Sequence, residues 1–121
     1  MSGYTLTGTA KAPVEEVWKL LFDPSRFPEW FLATETDGVP DYPMPQVTRT
    51  DQVNGRVLMS CQVSDIEFVW QLAEDGDGTA ITLRASIPES QATVLAEKRP
   101  VLAASVVALA ALAEREHRPV A

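Results

Sequence analysis

The chain has 121 residues, of which 45% are hydrophobic, with a formal net charge of −7 and an isoelectric point near 4.6. This length fits a single domain spanning residues 1–121, because domains commonly contain about 100–150 residues. The acidic balance and the scattered basic residues argue against a nucleic-acid partner and against adhesion to anionic membranes, since both require a positive face.

The first elements predicted along the chain are a strand and an amphipathic helix. Thr5, Thr7 and Thr9 alternate with other residues and indicate a strand over about residues 3–10. Pro13 suits the first position of a helix, where its missing N–H has no partner to lose. The apolar residues that follow have the spacing of one helix face: Val14, Val17, Trp18 and Leu21.

Asp23-Pro24 predicts the end of this helix and the start of a second one, because Asp caps free amides and Pro fixes the first helical φ. The second helix, near residues 24–31, contains Phe27, Trp30 and Phe31. Residues 33–46 are rich in proline and acidic residues, so we expect a loop with one short strand near 33–37.

The middle of the sequence has the pattern of an antiparallel meander. Strands are predicted at Val47–Gln52, Arg56–Val63, Ile66–Ala73 and Thr79–Ile87, with a two-residue hairpin at Asn54-Gly55, a reversal at Ser64-Asp65 and a turn at residues 75–78. Alternation assigns one inward face to Val57, Met59, Cys61, Val63, Ile66, Phe68, Trp70, Leu72, Ile81, Leu83, Ala85 and Ile87. Arg56, Glu67 and Arg84 fall on the opposite, outer face.

Residues 89–118 predict a long final helix that covers the apolar face of the sheet. One side of this helix carries Leu95, Leu102, Val106, Leu109 and Leu112. Pro100 cannot donate a backbone hydrogen bond, so we expect a kink or a split there. The most apolar stretch, residues 101–113, is shorter than the roughly 20 residues that span a bilayer, so integral membrane association is not expected.

Few residues of the sequence favour catalysis or metal binding. His117 is the only histidine and lies in the last turn of the final helix, Cys61 is the only cysteine, and Asp75-Gly76-Asp77-Gly78 lacks the spacing of a calcium loop. We therefore expect no metal and no cofactor, and we assign no catalytic residue. The single cysteine and the absence of a visible secretory signal predict a cytoplasmic location.

Several motifs, taken in order, resemble the START/Bet v1-like (SRPBCC) superfamily, in particular its bacterial polyketide cyclase/dehydrase and lipid-transport-like members. Ala12-Pro13, Val17-Trp18, Asp23-Pro24 and Trp30 resemble the family's opening strand and helix pair. Phe68, Trp70, Gly78-Thr79, Ile81 and Leu83 resemble its central strands, and the Ala-rich segment ending in Ala113-Glu114 resembles its closing helix. The segment between Trp30 and Asn54 is shorter than family members usually have.

The resemblance implies an α+β helix-grip fold: a curved antiparallel sheet of about six strands wrapped around a long C-terminal helix, with two short helices after the first strand. It also implies an apolar cavity whose mouth lies near those two helices, with Trp30 at the mouth. The expected ligand is a small hydrophobic or amphipathic molecule such as a lipid, a polyketide or an aromatic compound. The expected lining residues are Phe27, Trp30, Met59, Cys61, Phe68, Trp70, Leu83, Ala85, Leu102, Val106 and Leu109.

Two other functions remain open at this stage. One is a polyketide cyclase, aromatase or dehydratase acting in the same cavity through a polar residue such as Tyr4, Tyr42 or Ser60. The other is a protein-interaction module without a small ligand. Formation of a homodimer is also left open. A cyclase should show polar groups converging inside the cavity, whereas an interaction module should have a filled core and an exposed apolar patch.

Overall fold

The computed structural model describes residues 2–31, 46–60 and 65–117. In chain order, the described elements are β1 (Ser2–Ala10), α1 (Val14–Leu21), a 3-10 helix (Pro24–Glu29), β2 (Gln46–Asp51), β3 (Arg56–Ser60), β4 (Glu67–Asp75), β5 (Gly78–Ile87), a 3-10 turn (Glu89–Gln91) and α2 (Ala92–His117). The loop and short strand expected within 33–46, the reversal at Ser64 and the positions of Cys61 and Val63 lie outside the described residues.

The five described strands form one antiparallel sheet in the order β1-β5-β4-β3-β2. The predicted alternation is confirmed, because every described residue assigned to the inner face is at most 3% exposed. Arg56, Glu67 and Arg84 are exposed on the other face. A period of two along β4 and β5 therefore gives the sheet one apolar side and one polar side.

The two hairpin turns that contain Asp-Gly or Asn-Gly differ from each other. Gly76 has a φ of 62° in the two-residue turn between the paired residues Asp75 and Gly78, a conformation that glycine adopts without a steric cost. The two-residue hairpin predicted at Asn54-Gly55 is wrong, since the closing pair is Asp51 with Arg56 and four residues lie between them.

The carboxylate of Asp51 explains the longer turn. It accepts hydrogen bonds from the backbone N–H of Asn54 at 3.2 Å and from its side-chain amide at 2.7 Å. Only Gly55, with a φ of 64°, takes the left-handed conformation in this turn, whereas a two-residue turn of the expected type needs two such residues. A local side-chain contact therefore selects a wider loop.

Two short helices follow β1: α1 begins at Val14, so Pro13 lies one residue before the first helical position at which it was expected, whereas Asp23 caps the second helix as predicted. The carboxylate of Asp23 accepts a hydrogen bond from the backbone N–H of Ser25 at 3.0 Å, at the start of the 3-10 helix. The hydroxyl of Thr79, which is fully buried, donates to the carbonyl oxygen of Ala12 at 2.7 Å and joins the start of α1 to β5. The bond from Thr79 therefore ties the segment before α1 to the start of β5.

Helix α2 lies against β1, β5 and α1, and its predicted apolar side is buried. A Cβ atom added to Gly8 of β1 would lie only 2.6 Å from Cγ1 of Val106, so the helix approaches the strand closely at this point. The hydroxyl of Tyr4 donates to the carbonyl oxygen of Leu95 at 2.7 Å and joins the start of α2 to β1. No helix among the described residues combines the length and apolar character needed to cross a membrane.

A kink or a split was expected at Pro100. The helix does not split: it runs from Ala92 to His117 with that proline inside it. Because Pro100 has no N–H, the carbonyl of Ala96, four residues earlier, receives no helical hydrogen bond. Both residues are exposed. Water can therefore satisfy the free carbonyl, which lowers the cost of the proline at this position.

Candidate ligand-binding site

The inner face of the sheet and the facing helices bring the predicted lining residues into one hydrophobic cluster. Ten of the eleven are described, and each is at most 3% exposed: Phe27, Trp30, Met59, Phe68, Trp70, Leu83, Ala85, Leu102, Val106 and Leu109. Cys61 lies outside the described residues. Helix α2 packs mainly on β1, β5 and α1, and the inner face of β4 meets the aromatic residues after α1.

Aromatic rings dominate that part of the inner face. The ring of Trp30 meets that of Trp70 edge-on, with centroids 5.2 Å apart, and the ring of Phe31 meets that of Phe68 edge-on at 5.8 Å. Phe27 packs edge-on against Trp30 at 5.4 Å. We call these five residues the aromatic cluster. Its edge-to-face geometry is the arrangement that aromatic quadrupoles favour.

The two tryptophans of the aromatic cluster differ in how their indole nitrogens are used. Nε1 of Trp30 donates to the carbonyl oxygen of Leu20 at 2.9 Å, which holds the ring against α1. Nε1 of Trp70 is buried and has no hydrogen-bond partner among the described residues. Trp30 is also 0% exposed, and its expected place at the mouth of a cavity stays a prediction.

Comparison with known proteins finds no matching family model and no matching curated protein. Solved structures do match. The solution structure of CalU16 from Micromonospora echinospora is 24% identical, with 98% of this chain and 69% of that chain covered and a TM-score of 0.69. The di-domain ARO/CYC BexL from the BE-7585A biosynthetic pathway is 14% identical, with 98% and 48% covered and a TM-score of 0.73. XoxI from Bacillus cereus is 15% identical, with 98% and 100% covered and a TM-score of 0.73.

The chain has an α+β helix-grip fold. The antiparallel sheet, the helix pair after β1 and the long α2 are the features expected from the motif order, and their likeness to these structures confirms the fold. This chain spans about half the length of BexL, which has two domains. In this fold the aromatic cluster joins the residues that end the helix pair to the inner face of β4.

Phe31 belongs to the site but was not among the predicted lining residues. It is 1% exposed and touches the rings of Trp30 and Phe68, with centroid distances of 5.3 and 5.8 Å. The signal that could have found it is the spacing of Phe27, Trp30 and Phe31, since residues three and four positions apart lie on one side of a helical turn.

The polar residues considered for catalysis do not converge within the described part of the site. The hydroxyl of Tyr4 is engaged with Leu95, and burial raises the pKa of Tyr4 to about 12, although the positive charge of Arg99 opposes this shift. Ser60 is in the outer phase of β3, opposite the exposed Glu67, because its neighbour Met59 points inward. Tyr42 lies outside the described residues.

Charged and metal-binding groups are also absent from the described part of the site. Arg49, Arg56 and Arg84 are exposed, and His117 is exposed at the last residue of α2. Within residues 2–31, 46–60 and 65–117, no three His, Cys, Asp or Glu side chains come together as a metal site would require.

Two surface depressions lie away from the aromatic cluster. One is on the outer face of the sheet and is lined by Arg56, Leu58, Val69, Gln71, Thr82 and Arg84. The other lies where the end of β1 meets the turn between β4 and β5. Both are lined largely by polar or half-buried residues, and neither contains a residue of the aromatic cluster.

Proposed function

We propose that this protein binds a small hydrophobic or amphipathic molecule between the inner face of the sheet, the helix pair and α2. The observation that carries the proposal is the continuous apolar inner wall, in which strand residues such as Met59 and Leu83 adjoin the aromatic cluster. Pockets for small molecules are mainly lined by hydrophobic and aromatic side chains with few polar groups. A lipid, a polyketide or an aromatic compound has the matching surface.

The energy available from such a wall supports useful affinity. Burial of apolar surface contributes about 25 cal/mol per Å², so a tricyclic aromatic or a medium-chain alcohol that buries about 300 Å² gains roughly 7 kcal/mol before ordering costs. That gain sets the tightest dissociation constant at about the micromolar range, and ordering costs weaken binding from there. An uncharged ligand is favoured, because the described wall offers no cation to a carboxylate.

The proposal is tested by ligand titration of the wild-type protein and of two variants. Each variant introduces a leucine into β5, one on the inner face of the sheet and the other on the outer face. Dodecan-1-ol, naphthalene and 9-fluorenone serve as ligands, with tryptophan fluorescence and thermal shift as the measurements. Ala85→Leu adds volume to the fully buried inner face, whereas Arg84→Leu alters the exposed outer face of the same strand. Val106 is unsuitable for enlargement, because its Cγ1 already adjoins Gly8.

We expect saturable binding of at least one ligand, weakened about tenfold or more by Ala85→Leu and changed less than about twofold by Arg84→Leu. Near-UV circular dichroism establishes that both variants are folded. If no ligand gives a saturable signal, or if both variants weaken binding equally, the proposal is wrong. An interaction with another protein would then be the function to test.

A cyclase activity is the second candidate, and the comparison with the ARO/CYC protein BexL favours it. In this reading the same apolar walls would fold a reactive chain and bring its reacting carbons together, which is catalysis by orientation. Incubation with a linear poly-β-ketone thioester, followed by mass spectrometry and ultraviolet absorption of the products, tests it. A product pattern identical to that of spontaneous cyclisation would exclude this activity on that substrate.

A further inference from the structure

The indole N–H of Trp70 is a buried donor without a described acceptor. Trp70 is 0% exposed, and its Nε1 makes no hydrogen bond to any described residue. Buried indole N–H groups nearly always find a partner, because an unpaired donor has lost its water and gained nothing in return. The neighbouring Trp30, with its ring centroid 5.2 Å away, follows this rule through its bond to Leu20. The unpaired nitrogen of Trp70 therefore requires a separate explanation.

The surroundings of Trp70 define which acceptor would suit it. Its partners on the neighbouring strands are Val57 and Leu83, both 0% exposed, and the ring of Trp30 meets it edge-on. The arginines of adjacent strands, Arg56 and Arg84, are exposed on the outer face. A carboxylate at this place would be buried without a countercharge among the described groups, which is costly. The acceptor that fits is uncharged.

We propose that the N–H of Trp70 is the polar contact of the ligand site and donates a hydrogen bond to a carbonyl oxygen of an aromatic or polyketide ligand. This inference rests on the proposed function and adds the chemical class that the site selects. A carbonyl oxygen is suited to a single donor in an apolar wall, because it accepts a hydrogen bond and has no proton of its own that needs a partner. The flat rings of the aromatic cluster would then pack against the body of the ligand.

A matched pair of probes isolates this one contact. 9-Fluorenone and fluorene have the same tricyclic skeleton, but only the first has a carbonyl group in place of a methylene. A hydrogen bond made inside the site should strengthen binding of 9-fluorenone over fluorene by about 2- to 10-fold, the range that a net neutral hydrogen bond supplies. Isothermal titration calorimetry of the wild-type protein measures both affinities.

Two substitutions distinguish the indole N–H from the indole ring. Trp70→Phe keeps an aromatic ring and removes the donor, so the ratio of the two affinities should fall to about one, whatever the smaller ring does to both affinities. Trp30→Phe is the matched control in the same aromatic cluster. Its N–H already donates to Leu20, so this variant should keep the wild-type ratio even if it lowers both affinities.

Nuclear magnetic resonance of the wild-type protein provides a test that does not depend on the variants folding. The sequence contains three tryptophans, so a spectrum of ¹⁵N-labelled indoles has three N–H signals. The Trp70 signal, assigned from through-space contacts to Leu83, should move downfield with 9-fluorenone and much less with fluorene. The Trp30 signal should show no such difference.

The outcomes separate this inference from the function on which it rests. If both probes bind equally and the Trp70 signal responds equally to them, the ligand site stands and the role of Trp70 is wrong. The same conclusion follows if Trp70→Phe keeps the preference for 9-fluorenone. If neither probe binds, the role assigned to Trp70 fails together with aromatic ligand binding.

Discussion

Replacement of Gly8 by alanine tests how closely α2 is packed on β1. The added Cβ would lie 2.6 Å from Cγ1 of Val106, about 1 Å closer than ordinary van der Waals contact, so the helix or the strand must shift. Val106 cannot easily turn away, because a β-branched side chain in a helix has one strongly preferred rotamer. Overpacking of this kind costs about 1–3 kcal/mol, and the lower chain entropy of alanine in a strand offsets about 0.5–1 kcal/mol of it.

We therefore predict that Gly8→Ala lowers the free energy of unfolding by about 1–2 kcal/mol in the wild-type protein. In a Val106→Ala background the clash is absent, and the same change should raise stability by about 0.5–1 kcal/mol. Val107→Ala is the control background, since Val107 is 67% exposed on the same helix and should leave the effect of Gly8→Ala unchanged.

Gly8→Ala forms one double-mutant cycle with Val106→Ala and another with Val107→Ala. Urea unfolding of the four proteins in each cycle measures the coupling energy between the two positions. A reversal of sign only in the Val106→Ala background is the expected result. If Gly8→Ala has the same effect in all three backgrounds, then α2 does not contact β1 at this point, and the packing that closes the site is wrong.

Two other predictions concern the sheet and its junction with α2. Phe68→Ala should lower the free energy of unfolding by about 3–5 kcal/mol, because Phe68 is 3% exposed, whereas Glu67→Ala on the outer face should change it by less than about 0.5 kcal/mol; equal losses in urea unfolding would show that the strand phase is wrong. Burial raises the pKa of Tyr4 to about 12, above the value of about 10 expected in the unfolded chain. The contribution of the neutral Tyr4 hydroxyl to folding stability should therefore be complete below pH 10 and lost as the pH rises through 12. The stability difference between the wild type and Tyr4→Phe should accordingly shrink over that pH range, and a constant difference would contradict the assignment.

The strand phase and the buried side of α2 could be predicted because each depends on a simple period. Ile81, Leu83 and Ala85 alternate with polar residues, and Leu102, Val106 and Leu109 recur at helical spacing, so burial follows from local geometry alone. These patterns also sufficed to place the predicted lining residues in one cluster.

Features that depend on single contacts could not be predicted. The turn at Asn54-Gly55 is wider than expected because the side chain of Asp51 holds Asn54, and a dipeptide rule does not include that contact. The different use of the two indole N–H groups depends on where the carbonyl oxygen of Leu20 lies relative to Trp30. Neither relation has a signature in residue spacing.

The most direct test of the central claim is to locate a bound ligand by nuclear Overhauser effects from its protons to methyl groups of the protein. The chain offers a matched comparison, since Met59 and Leu83 lie on the inner face whereas Leu58 and Val69 are half-buried on the outer face. With methyl-labelled protein and 9-fluorenone, we predict contacts to Met59 and Leu83 and none to Leu58 or Val69. Contacts confined to Leu58 and Val69 would place the ligand on the outer face and contradict a site between the sheet and α2.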